Sequence, residues 1–549
     1  MATPDVDATP APGSASAPSD RMTHSQIRQA MTGLMLSMFV AMLSSTVVSN
    51  ALPRILHDLH GGESAYTWVV TATLLTTTAS TPIWGKLADL TSKKLLMQVA
   101  IVIFVASSFV AGLSGSIGML IVCRAAQGIG AGGILAMTQV IMAAMVSPRE
   151  RGRYSGYLGA TFAVATIAGP LIGGVIVDTS WLGWRWCFYV GVPFAVAALI
   201  VLQLTLHLPV IRRQAKIDYL GAALITGGVC DLLIWVSLAG QQFAWGSSTT
   251  AVLVAVGVVL LALAAVVELR TAEPIIPLQL FRQRTISLAT GAGLFIGVAM
   301  FGATVFLAQY FQISRGASPT ESGLRTMPMI LGLAIASLLV GRLVSSTGRW
   351  KRYLVAGSLT ATVGFALLST IDADTSFVLI AVYMALVGIG LGATMQNLVL
   401  SVQNSVQAHQ LGSATATVSF FRSLGGAIGV SALGAVLASQ VSHSLVRGLT
   451  ALGLPASSGA GEGGGIPDVS TLPGPVASVV EHAYGDAVGH VFLIATPLMA
   501  LAVIAICCIT EVPLRQQSGT ELSADLERGG AAGEVSGGVV EHVAEGIRR

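Results

Sequence analysis

The chain has 549 residues, of which 53% are hydrophobic and 10% charged, with a formal net charge of +3. A soluble domain carries about 25% charged residues, and a mean hydropathy of +0.77 leaves too little polar surface to cover a soluble globule of this size. A cytosolic enzyme, a secreted domain and a disordered chain are excluded together, the weak charge argues against nucleic acid, and a polytopic membrane protein remains.

Residues 1–23 hold Ala, Pro, Ser and Thr without an apolar stretch and read as a tail. The first apolar run, Met31 to Leu52, is too long for a signal peptide and reads as a span. Further runs lie near 66–84, 95–114, 117–146, 153–178, 188–207, 218–239, 250–269, 286–312, 321–343, 352–371, 376–400, 410–440 and 488–510. A crossing takes about 20 residues, so the pattern predicts an all-α membrane protein with fourteen transmembrane helices. Residues 441–487 read as a long extracytoplasmic loop and 513–549 as a cytoplasmic tail.

Basic residues test this topology, because they collect on the cytoplasmic side of short loops. With the N-terminus inside, 22 of the 29 Lys and Arg fall on cytoplasmic segments, and only Arg54, Arg185, Arg315, Arg325 and Arg447 fall outside. Both termini are therefore expected in the cytoplasm. Arg124 and Arg422 remain, both inside spans.

The chain echoes itself. GKLADLTSKK (85–94) resembles GRLVSSTGRWKR (341–352) at an offset of 256, and Gly128-x-Gly130-x-Gly132 resembles Gly388-x-Gly390-x-Gly392 at 260. The displacement is eight spans, an even number, so the repeats are parallel. This predicts a six-helix half over 24–207, two inserted helices with linkers over 208–285, and a second half over 286–512.

Several segments carry chemistry. In Gly85-Lys-Leu-Ala-Asp89, followed by Lys93 and Lys94, the glycine lets helix ends approach. The aspartate can accept from free helix N-terminal amides or pair with a base. In span four, Arg124 is an expensive buried charge that faces a cavity or partner, with Gln127 on the same face. In span five, Gly156, Gly169, Pro170, Gly173 and Gly174 offer a groove and a bend. Trp184-Arg-Trp-Cys-Phe-Tyr189 suits an interfacial aromatic belt. Asp231 is the one acid well inside a predicted span, Glu321 and Arg325 form an i, i+4 pair, and Arg422 needs a partner. Asn50, Gln127, Gln309, Gln396 and Asn397 are candidate polar contacts for a substrate. The five cysteines show no metal-ligand spacing, and no GxxxxGK[ST] nucleotide loop occurs.

Together these segments resemble the major facilitator superfamily, and more narrowly its fourteen-span drug/proton antiporters, the EmrB/QacA type. The resemblance covers about residues 24–440 and 488–512. It implies a non-enzymatic exporter of lipophilic or amphipathic small molecules, working by alternating access in a bacterial cell membrane. The proton gradient would supply the energy, with no cofactor. The resemblance gives 85–94 a gating role, Arg124 a role in proton coupling, and the span-five glycines the antiporter motif. It leaves Asp231, Asp89, Glu321 and Arg422 as further candidates for coupling or gating. Partners would be the substrate and the bilayer, and the protein is expected to be a monomer. Relatives usually carry an Asp where this chain has Ser44, a group that cannot titrate in the relevant range. A dedicated metabolite exporter, an uptake permease of the same fold or a transport-derived sensor are the rival readings.

Overall fold

The computed structural model describes residues 24–60, 63–179, 182–208, 218–239, 242–271, 273–453 and 473–517. The first half contains α1 (His24–Asp58), α2 (Glu63–Leu90), α3 (Lys93–Gly112), α4 (Ile117–Met145), α5 (Pro148–Asp178) and the broken pair α6 (Trp186–Tyr189) and α7 (Val192–Thr205). The inserted pair is α8 (Tyr219–Leu238) and α9 (Ser248–Arg270). The second half opens with α10 (Arg284–Gln309), which runs into a π-turn over Tyr310–Ser314. It continues through α11 (Pro319–Arg325), α12 (Met327–Thr347), α13 (Lys351–Leu368), α14 (Phe377–Ser405), α15 (Leu411–Ala451) and α16 (Gly474–Cys507). No β-strand occurs among the described residues.

Local chemistry sets several boundaries. Ser92, Ser116 and Ser247 accept from the amides of Leu95, Met119 and Thr250 and so cap α3, α4 and α9. Pro148 opens α5, where its missing amide goes unused. Gly348, at φ 70°, stops α12 in a conformation that a side chain would strain.

Twelve helical segments are long and apolar enough to cross a membrane among the described residues. The expected fourteen are therefore not all reached on length and composition. The α2 helix, with seven threonines, and the 18-residue α13, which starts Lys-Arg-Tyr, fall outside the twelve. Both pack against neighbouring long helices, α2 against α4 and α13 against α14.

The loop expected over 441–487 is helix at both ends. The α15 helix continues to Ala451 and α16 already starts at Gly474. The two extensions touch, since a Cβ on Gly448 would lie 2.4 Å from Val479. The Gly, Pro and Ser that suggested a loop sit in 454–472, outside the described residues, as do the tail 1–23 and residues 518–549.

The two halves repeat each other's packing. Gly128 and Gly132 press on Thr73 and Thr77 of α2, while Gly388 and Gly392 press on Met329 and Leu333 of α12. Gly130 meets Phe104 of α3 and Gly390 meets Ala361 of α13. Without a hydrophobic force between helices in lipid, such close backbone contact supplies the packing. Large side chains such as Val122 and Leu204 point outward from the bundle, each 69% exposed, as a lipid-facing surface requires.

Candidate functional site

Hydrogen bonds between the halves gather at the end of the bundle that holds the α2–α3 connection. There α2 meets α15. A Cβ on Gly85 would lie 2.2 Å from Ala416 Cβ and 2.7 Å from the Gly412 carbonyl. This contact brings Asp89 to the start of α15. Its carboxylate accepts from the amides of Gly412 and Ser413, each at 2.8 Å, and from the Ser413 hydroxyl at 2.7 Å. The α15 helix begins at Leu411, so these amides have no intrahelical partner and carry the positive end of the helix dipole. The expected role of Asp89 as an acceptor for helix amides is realised across the halves. Lys94 Nζ donates to the Gln203 carbonyl at 2.7 Å, and Lys93 opens α3.

A second seam joins α5 to α12. A Cβ on Gly341 would lie 2.1 Å from the Gly152 carbonyl, and one on Gly156 would lie 2.8 Å from Leu338 Cα. The Arg153 amide donates to Ser345 Oγ at 3.0 Å, and Arg149 Nε to the Ser345 carbonyl at 3.4 Å. Between the seams, Arg151 is 1% exposed. Its Nε donates to the Val146 carbonyl at 2.8 Å, one terminal nitrogen to the Ala143 carbonyl at 2.5 Å, and the other to Gln403 Oε1 at 3.1 Å. Deeper in, Gln139 Nε2 donates to Gln396 Oε1 across the halves at 3.0 Å. Gln139 Oε1 is buried with no partner among the described residues.

The other candidate residues are dispersed. Arg124 is buried and donates to Gln127 Oε1 at 2.9 Å, and Gln127 passes the chain to Ser108 of α3 at 2.6 Å. This network lies inside the first half and contains no acid among the described residues. Asn397 is buried, donating to the Ala393 carbonyl of its own helix at 2.7 Å. Ser44 Oγ and Gln309 Oε1 are buried without a partner among the described residues. Gly169 packs on Thr46 of α1, so the span-five motif serves both an α5–α1 contact and, through Gly156, the seam. Gly173 is buried in α5, while Gly174 has open space beside it. Pro170 and Asn50 lie in α5 and α1, with side chains outside the described set. Half-buried Arg422 sits on α15 where its carbonyl backs onto Gly297 of α10.

Two candidates lie away from the seams. Asp231 faces α9, where a Cβ on Gly257 would come within 2.8 Å of its Oδ2. Glu321 and Arg325 form the predicted pair at 2.5 Å, local to α11. At this opposite end the hydrogen bonds among the described residues stay within one half or the other. Tyr310 donates to the Asp372 carbonyl at 2.7 Å, and Ser314 to the Glu481 carbonyl at 2.8 Å. The Thr375 hydroxyl and nearby amides hold the Asp372 carboxyl, in the α13–α14 connection, below its ordinary range.

Sequence reasoning counted Arg151 and Arg153 only among the cytoplasmic basic residues and gave Ser345, inside the 341–352 echo, no role of its own. The internal echo held the signal. Ser345 is Asp89 displaced by 256, and Arg153 is Ser413 displaced by 260, the two offsets already found in the repeats.

A sequence profile described as Major Facilitator Superfamily matches residues 34–430. An uncharacterized MFS-type transporter of Mycobacterium tuberculosis is 37% identical over 488 residues, 88% of this chain and 69% of the relative. The multidrug transporter protein MdtP of Bacillus subtilis is 36% identical over 74% of each chain. The efflux pump dotC of Dothistroma septosporum is 33% identical over 89% of this chain and 84% of its own. The human organic anion transporter MFSD10 (TETRAN) shares the fold, with a TM-score of 0.57 at 15% identity over 86% of this chain and 99% of its own.

Proposed function

The chain belongs to the major facilitator superfamily and is a membrane transporter of that family, and from this premise we propose that it exports lipophilic or amphipathic small molecules in exchange for protons. The observation that carries the reading is the pair of glycine-faced seams at one end of the bundle. A seam made of backbone contact and a few hydrogen bonds can part without unpacking either half. Rigid halves joined at one end are what alternating access requires. The efflux pumps among the relatives favour export over uptake.

The seam end is assigned to the cytoplasm, because the basic residues Lys93, Lys94, Arg149, Arg153, Arg349 and Arg352 gather there. The conformation is then closed to the cytoplasm. We count α2 and α13 as spans as well, which would make fourteen; the packing of each against a long apolar helix supports that count. A substrate would meet Gln396 and Gln139, whose Oε1 offers a buried acceptor, and Gln309 towards the other end.

Coupling is assigned to Asp89. Ser44 does not titrate in the relevant range, and Arg124 has no carboxylate in contact among the described residues. Asp89 is the acid whose bonds cross a moving seam. A proton on it weakens the acceptance of three hydrogen bonds, which links protonation to the equilibrium between open and closed states. The protein would work as a monomer in a bacterial cell membrane, with the proton gradient as its energy source.

Efflux of fluorescent cations from an efflux-deficient bacterial host tests the reading. Expression should lower dye retention, and a protonophore should abolish the effect. Efflux that survives the protonophore would rule out proton drive, and no efflux across a broad cation panel would remove the drug-exporter reading.

A further inference from the structure

Resting on the transport reading above, we infer that the segment leaving the inserted helices, residues 273–276, is a clasp over the α2–α15 seam. Lys86, Glu273 and Glu268 act as positioning residues for the closed state.

Three observations converge. Lys86 lies on α2 between the seam residues Gly85 and Asp89. It is 5% exposed, and its Nζ stands 2.6 Å from Glu273 Oε2. A buried ammonium needs such a partner. Glu268, itself 5% exposed in the last turn of α9, accepts from the amides of Ile275 at 3.0 Å and Ile276 at 3.2 Å. Those bonds fold the chain back on the end of α9. The turn delivers Ile275 and Ile276 into a buried cluster with Leu75 and Ala79 of α2, and with Phe420 and Ala427 of α15. Farther along the same segment, Phe281 meets Phe421 of α15 edge-to-face at 6.0 Å.

One short linker therefore holds α2 by charge and touches both α2 and α15 by apolar contact. Parting α2 from α15 at this end must break the apolar plug, the ion pair, or both. On this proposal such contacts are lost when the seam opens, and only differential contacts shift an equilibrium. The inserted pair is thus a working part of the gate on one seam.

The test is a distance between the halves. Spin labels go on Glu150→Cys of α5 and Gln407→Cys before α15, both exposed at this end, in a full-length protein whose five native cysteines are replaced. Double electron–electron resonance in lipid nanodiscs should show mainly the short distance for the parent. Glu273→Gln and Lys86→Met should each raise the population at longer distance by about fivefold, as expected for a partly buried ion pair. The charge swap Lys86→Glu/Glu273→Lys should return it to within about twofold of the parent. Single variants that match the parent, or a swap that behaves like the singles, would overturn the clasp. Efflux by the parent is recorded in parallel. A parent that moves no dye while the distances shift as expected condemns the exporter reading and leaves the clasp standing.

Discussion

The α2–α15 and α5–α12 seams occupy equivalent places in the repeat, yet one is closed by a carboxylate and the other by a hydroxyl. Asp89 accepts from Gly412 and Ser413, while Ser345 accepts from Arg153. Helix starts explain the difference. Ser413 is the third residue of α15, so its amide is free, whereas Arg153 is the sixth residue of α5 and its amide already belongs to the helical ladder. An anion is useful where free amides and the dipole converge. At the α5 seam the free amide of Arg149 is taken by the Arg515 carbonyl at 3.3 Å, and the guanidinium of Arg149 reaches Ser345 instead. The repeat preserves the backbone contact and lets the polar chemistry follow the local helix start.

The largest expected effect removes what the seams share. Leucine at position 85 or 341 would drive a side chain into backbone that now approaches within 2.7 Å and 2.1 Å of a bare Cβ. Overpacking costs about 1–3 kcal/mol, here charged to the closed state alone. Gly85→Leu and Gly341→Leu should each cut dye efflux by about tenfold or more, with protein still present in the membrane fraction. Normal efflux from only one variant would show that the seams do not move together.

The next effect separates the seams. Asp89→Asn loses charge-assisted bonds, each worth about 1.5–3 kcal/mol, while Ser345→Ala loses a neutral one worth about 0.5–1.5 kcal/mol. Efflux should fall by about tenfold for the first and about twofold for the second. Equal losses would mean that helix starts do not set the chemistry. Arg151→Lys is expected to weaken the packing between the seams. A lysine keeps the charge but cannot serve Val146, Ala143 and Gln403 with one planar fork. The check is thermal unfolding in detergent, where Arg151→Lys should melt below the parent and above Arg151→Ala.

Much of this was legible in the sequence. Apolar runs placed the helices, because a crossing demands length and apolarity, and the glycine echoes placed the repeat. The α2–α15 and α5–α12 pairings were not legible, since their residues stand 323 and 192 positions apart. Membrane helices are apolar on most faces, so amphipathic patterning cannot say which face meets which neighbour. Arg151 was hidden for a related reason: in a basic loop, charge explains every arginine equally well, and only geometry separates the buried one. The extent of α15 and α16 was missed because the Gly-rich composition of 454–472 coloured the helical residues on both sides.

The smallest effect is expected at Asp231, the acid that depth alone would favour for coupling. Its neighbours on α8, Ile225, Val229 and Leu233, share a buried cluster with Leu75 of α2 and Phe420 of α15. Asp231 lies two residues from Val229 and from Leu233, about 200° round the helix from either, and turns to Gly257 of α9. It therefore faces its partner in the inserted pair and not the α2–α15 seam, and it is expected to keep those surroundings when the seam opens. A group whose surroundings are the same in both states cannot bias them, however costly its burial. Asp231→Asn should change pH-driven efflux in inverted vesicles by less than about twofold, while Asp89→Asn removes most of it in the same assay. If the ranking is reversed, the proton path runs through the inserted helices, and the seam carboxylate is only a fastening.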